Sequence, residues 1–162
     1  MTLHLGADRT FLGMNRTDSL RATSRVVRAS ALYDLFVTLP FATPWTAGLL
    51  IDHLRQLHVQ LGLSGAMPPD FGPLHLFFVS LFGTIVTLWA ALRVWRPEPL
   101  FGAVDTAGRA AFSLWMAQAL WMGQTYVLVP MLVLELAWFF VQGGAILGWR
   151  KHHEHARLAE AA

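Results

Sequence analysis

The chain reads as an all-α membrane protein, a four-transmembrane-helix bundle whose first span is kinked at Pro40 and Pro44. Three observations predict that class. Of the 162 residues, 55% are hydrophobic and 14% charged, whereas a soluble domain carries about 25% charged residues. Four apolar runs of near-spanning length follow one another, with short polar connections between them. Every Lys and Arg except Arg55 falls at the N terminus, at the second connection with its flanks, or at the C terminus. The mean hydropathy of +0.46 agrees, and the length predicts one domain.

Residues 1–28 form a basic N-terminal arm with Arg9, Arg16, Arg21, Arg25 and Arg28. Asp18 or Ser19 is placed to cap a short amphipathic helix running toward the membrane through Leu20, Val26 and Val27. The arm is expected to lie at anionic headgroups on the cytoplasmic side. The transmembrane domain, 29–149, then holds spans at about 29–51, 74–95, 105–122 and 126–149.

Within the first span, Pro40 removes a backbone donor and disfavours helix at Leu39. Thr43-Pro44 has the form of an N-cap followed by proline at the first helical position. A break near mid-membrane is expected, then a piece over 44–61 that leaves the bilayer as an amphipathic extension. Asp34 inside the apolar run argues against a cleaved signal peptide here.

Pro68-Pro69 and the Gly-, Ser- and Asp-rich residues around them make 61–73 a loop. Residues 74–95 are the cleanest span, free of charge before Arg93. Arg96-Pro97-Glu98-Pro99 ends it, and Asp105 or Thr106 is expected to cap the third span. Gly123-Gln124-Thr125 is a tight turn, and Arg150-Lys151-His152-His153 closes the last span before the tail, 150–162. The positive-inside rule puts both termini in the cytoplasm of a bacterial-type inner membrane.

Glu135 stands near the middle of the last apolar run, where a carboxylate must be paired, protonated or facing a cavity. Asp34 lies roughly 8 Å in from the cytoplasmic edge at the helical rise, and Gln142 reaches a similar depth. Two networks are expected from depth. The upper joins Glu135, Gln118 and Thr84, with Ser113 nearby. The lower joins Asp34, Thr38 and Gln142, with Arg28 or Arg109 as counter-ion. Trp115 and Trp138 lie deep enough to pack between helices or to wall a ligand cavity, while Trp89, Trp95, Trp121 and Trp149 read as interfacial anchors. Gly83, Gly123, Gly143 and Gly144 permit close helix approach, and Gly143-Gly144 with Gly148 sets small residues at i and i+4.

Glu135 is the best candidate for a catalytic acid/base; no nucleotide loop, nucleophile elbow or HExxH is present. The absence of Cys excludes disulfides and Cys-ligated metals. His53, His58 and His75 fall near the outer face as weak metal candidates, and no cofactor is predicted. The sequence pI of about 9.7 does not imply nucleic acid, because the basic residues sit at span ends rather than on one face.

The size, the span count and an acid on the last span followed by Trp138 resemble the DoxX-like and EXPERA groups of four-helix membrane proteins. Some of those bind or isomerise apolar ligands. The likeness covers the final span, and no functional residue is carried across. Three functions are compatible with the chain. The first expectation is an accessory or binding subunit of a larger membrane complex, with the lipid bilayer and a partner or second copy as neighbours. The alternative is a lipid- or quinone-handling protein using Glu135 as intramembrane acid/base. The third is an oligomeric transporter or proton pathway.

Overall fold

The computed structural model describes residues 4–161, and side chains over 17–154 and at 158. Five helices follow in order: α1 (His4–Thr38), α2 (Pro44–Gln60), α3 (Pro73–Trp95), α4 (Pro99–Trp121) and α5 (Leu128–Ala161). A 3₁₀ turn, Leu39–Ala42, joins α1 to α2. The described residues contain no strand beyond a single bridge between Ala66 and Gln124.

Prolines set the helix starts. Pro44, Pro73 and Pro99 each open a helix, where the missing N–H costs nothing and the fixed φ is already helical. The residues before them, Thr43, Gly72 and Glu98, are extended, as pre-proline sterics favour. Thr43 also caps α2, its hydroxyl accepting from the Thr46 N–H at 3.3 Å. The expected cap at Asp105 or Thr106 is therefore wrong: both lie inside α4, because Pro99 starts that helix two turns earlier. The expected start at Asp18 or Ser19 is wrong too. α1 runs through it unbroken, and the Ser19 carbonyl accepts an intrahelical bond from the Thr23 hydroxyl. The side chains of Arg9, Arg16 and Arg157 lie outside the described residues.

Two helices, α3 and the Leu128–Glu154 part of α5, are long and apolar enough to cross a membrane. They become three if Thr17–Ala42 and Pro44–Gln60 count as one broken span. Those two pieces meet at 103°. The proline break is where the sequence places it, but residues 29–51 are not one kinked rod. α4 matches α3 in length, at 23 residues, but Asp105, Arg109 and Gln118 interrupt its apolar run.

α1 is the centre of the packing. It lies against α3 on one side and α5 on the other, and α4 packs along α5. Val27, Ala31, Ala90 and Ile146 are buried in these seams. Within the helices, two glycines permit the closest approaches. Gly83, midway along α3, receives the backbone of Phe41, so the 3₁₀ turn is seated directly on α3. Gly102 on α4 receives Val27 and Ile146. Of the glycines expected to permit close approach, Gly83 does so; Gly143 meets Thr106 Cγ2 at 3.4 Å, and Gly123, Gly144 and Gly148 face open space.

The bend carries α2 across one end of the helices. His58 Nδ1 lies 2.8 Å from the Thr125 hydroxyl in the α4–α5 turn. The loop after α2 is tied to the same turn: Ala66 N–H donates to the Gly123 carbonyl at 2.7 Å, and Tyr126 N–H to the Ser64 carbonyl at 3.0 Å. Arg55 pairs with Asp70 within this cover. Along α2 the exposed face changes from Trp45 and Leu49 to Asp52, His53, Gln56 and Gln60. The exposed residues of α2 thus become more polar along the helix, with Val59 exposed among them.

Candidate functional site

Five charged side chains from four helices converge: Asp34 (α1), Arg93 (α3), Asp105 and Arg109 (α4) and Glu135 (α5). The Arg109 guanidinium uses every edge. Its Nε donates to Asp105 Oδ2 at 3.1 Å and its Nη1 to Glu135 Oε2 at 2.8 Å. Its Nη2 donates to the Ser30 hydroxyl at 2.8 Å and to Asp34 Oδ2 at 2.5 Å. The planar fork of arginine suits this role, which an ammonium could not fill. Asp34 Oδ2 also accepts from Arg93 Nη2 at 2.6 Å, so one oxygen bridges both guanidiniums.

Asp105 is held from three further directions. Trp89 Nε1 donates to Oδ1 at 3.1 Å and Gln142 Nε2 to Oδ2 at 2.9 Å. Arg93 Nη1 lies 2.8 Å from Oδ2 but without hydrogen-bond geometry, so that contact is coulombic. Gln142 is anchored in turn to the Gly102 carbonyl at 2.9 Å and the Thr106 hydroxyl at 3.0 Å. Paired charges with a supporting shell are the arrangement that makes ionised groups tolerable away from water.

The sequence expectations fare unevenly against this geometry. Asp34, Glu135 and Gln142 do meet, through Arg109 and Asp105. The upper network is not formed: Gln118 is exposed, and Thr84 donates to the Ala42 carbonyl at 3.1 Å. Thr38 lies 3.4 Å from Thr87 instead of joining Asp34, and Ser113 is buried with no hydrogen-bond partner among the described residues. Arg28 is exposed, so Arg109, not Arg28, is the counter-ion of Asp34. Trp138 packs on Tyr33 with ring centroids 5.8 Å apart. Trp89, expected as an anchor, is a donor to the cluster.

Arg93 and Asp105 are the members that sequence reasoning missed as a site. Arg93 sits near a span end and reads as a flank; Asp105 reads as a cap. The available signal was the Asp105–Arg109 pair at i and i+4 in an apolar helix. His53, His58 and His75 do not gather. His53 is exposed, His58 bonds Thr125 and His75 packs on Phe71. Among the described residues no group of three or more His, Cys, Asp or Glu is placed to hold a metal ion.

Above the cluster lies a cavity of about 640 Å³, within the size range of small-molecule sites. Its floor is the five charged residues. Its walls include Val37, Phe41, Ile85, Phe112, Trp115 and Met131. It exists because α3 and α4 meet near their shared turn, through Trp89 on Phe101 and on Asp105, and then stand apart. Along α4 the lining runs from Val104 to Ala119, roughly 22 Å at the helical rise. Ile85, Val104, Phe112 and Trp115 border this gap and are half or more exposed. Gly108 also lines it, and a Cβ there would meet nothing within 4 Å.

No family model, curated protein or solved structure matches the chain. The functional reading therefore stands on this geometry alone.

Proposed function

We propose that this chain is a small inner-membrane protein that takes a lipid- or quinone-type molecule into the gap between α3 and α4. The carrying observation is the long apolar cavity that ends on the Asp34–Arg93–Asp105–Arg109–Glu135 floor. An amphipathic molecule has the same division, a tail for the walls and a polar end for the floor. Glu135 is the floor carboxylate most open to it, with a side chain 19% exposed, and is the acid/base candidate of this reading.

In the same reading α1, α3, α4 and α5 all lie in the bilayer as a four-helix bundle. α4 counts as a span because its two charges face inward and are paired. Both termini lie on the cytoplasmic side, where Arg21, Arg25, Arg28, Arg96, Arg150 and Lys151 surround the α3–α4 end. Arg93 and Arg109, 1–2% exposed, are engaged in the cluster and drop out of that charge count.

The accessory-subunit and proton-pathway roles require no elongated apolar chamber. One measurement separates them from ligand handling. Native mass spectrometry of protein extracted in mild detergent should show a small apolar molecule travelling with the chain. Gly108→Leu, which puts a branched side chain into the chamber from a position where a Cβ meets no neighbour, should lose it. A protein subunit in place of the small molecule, unaffected by Gly108→Leu, would refute the reading in favour of an accessory role.

A further inference from the structure

The floor has a definite electrical character. Two guanidiniums are set among three carboxylates, so the ionised cluster carries one negative charge in excess. The positive groups are also the hidden ones. The Arg93 and Arg109 side chains are 1% and 2% exposed, against 11% for Asp34, 9% for Asp105 and 19% for Glu135.

Hydrogen-bond usage points the same way. Arg109 has spent its donors on Asp34, Asp105, Glu135 and Ser30. Arg93 Nε and Nη1 make no hydrogen bond among the described residues, but both atoms are sealed from solvent, and Nη1 already lies against Asp105. The acids keep spare accepting capacity. Glu135 binds Arg109 through Oε2, and Asp34 takes both arginines on Oδ2. Among the described residues Glu135 Oε1 and Asp34 Oδ1 accept no hydrogen bond, and neither is among the sealed, unpartnered atoms. A molecule coming down the groove therefore meets carboxylate oxygens first.

Resting on the ligand-handling role above, we infer that the ligand's polar end is a hydrogen-bond donor, cationic ammonium before neutral hydroxyl, and that anionic headgroups are excluded. An ammonium against Glu135 and Asp34 offsets the excess charge in a region of low dielectric, where an unpaired ion is costly. A hydroxyl supplies the donor without the charge. A sulfate or phosphate brings a second excess negative charge to the same floor, and the arginines cannot turn toward it without releasing the helices they tie together. The rest of the protein would favour the opposite order: the whole chain has a formal net charge of +2, so the part outside the cluster is positive.

The test uses three probes of equal chain length, a primary alkylamine, an alkanol and an alkyl sulfate, each added to the delipidated full-length protein in a neutral detergent. Occupancy is read by native mass spectrometry, with Gly108→Leu as the blocked control. The expected result is at least tenfold higher occupancy for the amine than for the sulfate, with the alkanol between. In Glu135→Gln the preference should shrink to threefold or less. Sulfate bound as well as the amine would overturn the headgroup inference while leaving the chamber's role intact. No probe held above the Gly108→Leu control would overturn both. The wild-type comparison decides the matter alone should Glu135→Gln fail to fold.

Discussion

Arg109 is the residue on which the cluster turns, because it touches all three carboxylates and Ser30. Replacing it by Met leaves those acids buried without their main partner. Loss of one side of a buried ion pair costs about 3–5 kcal/mol. Arg109→Met should therefore lower the thermal unfolding midpoint in detergent sharply, or prevent folding. Glu135→Gln should behave differently. It removes the carboxylate in excess and keeps an acceptor for Arg109, so the expected loss is clearly smaller than that of Arg109→Met. Equal damage from the two variants would mean that Glu135 is a structural ion-pair partner rather than a group left open to the cavity. At this scale the acids were legible from depth alone, since Glu135 and Asp34 stand inside apolar runs. Their partners were legible only in part: Arg109 was one of two counter-ions expected for Asp34, whereas Arg93 and Asp105 lie where a flank and a helix cap are equally natural. Residue type and depth say that a charge needs a partner; they do not say which helix supplies it.

Helices carry their own predictions. Gly83 and Gly108 are both mid-helix glycines lining different neighbours, and the same substitution should act with opposite sign. Gly83→Leu drives a side chain into the Phe41 backbone; overpacking of this kind costs roughly 1–3 kcal/mol. Gly108→Leu places its Cβ in open space and replaces a poor helix former by a good one, a gain of up to about 1 kcal/mol. Unfolding midpoints of the two variants measured side by side check the contrast. The element boundaries were largely written in the prolines. Pro40 stops α1, and Pro44, Pro73 and Pro99 start the next three helices. What the sequence could not express is direction. A 3₁₀ turn between two helices is compatible with a shallow kink or with the 103° bend observed. The choice is made by Gly83, which seats the turn on α3, and by the ties between the loop after α2 and the α4–α5 turn. Both are contacts between distant segments, and no local periodicity encodes them.

For the molecule as a whole, the pairing of Thr23 on α1 with Ala145 on α5 sets those two helices side by side with their outer ends together. Reporter fusions at the N and C termini should accordingly signal the same compartment, the cytoplasm in the orientation proposed here. Opposite signals would remove α4 from the bilayer and with it the bundle. The same overall arrangement leaves one bare spot, Gly108, on the α4 lining of the chamber next to Arg109. The chain has no cysteine, so Gly108→Cys would install a solitary thiol there. A polarity-sensitive dye coupled to it should emit as in hydrocarbon and shift toward the red once a polar-headed occupant brings water with it. A single atom missing from one side chain thus offers a spectroscopic window into the interior at its emptiest point.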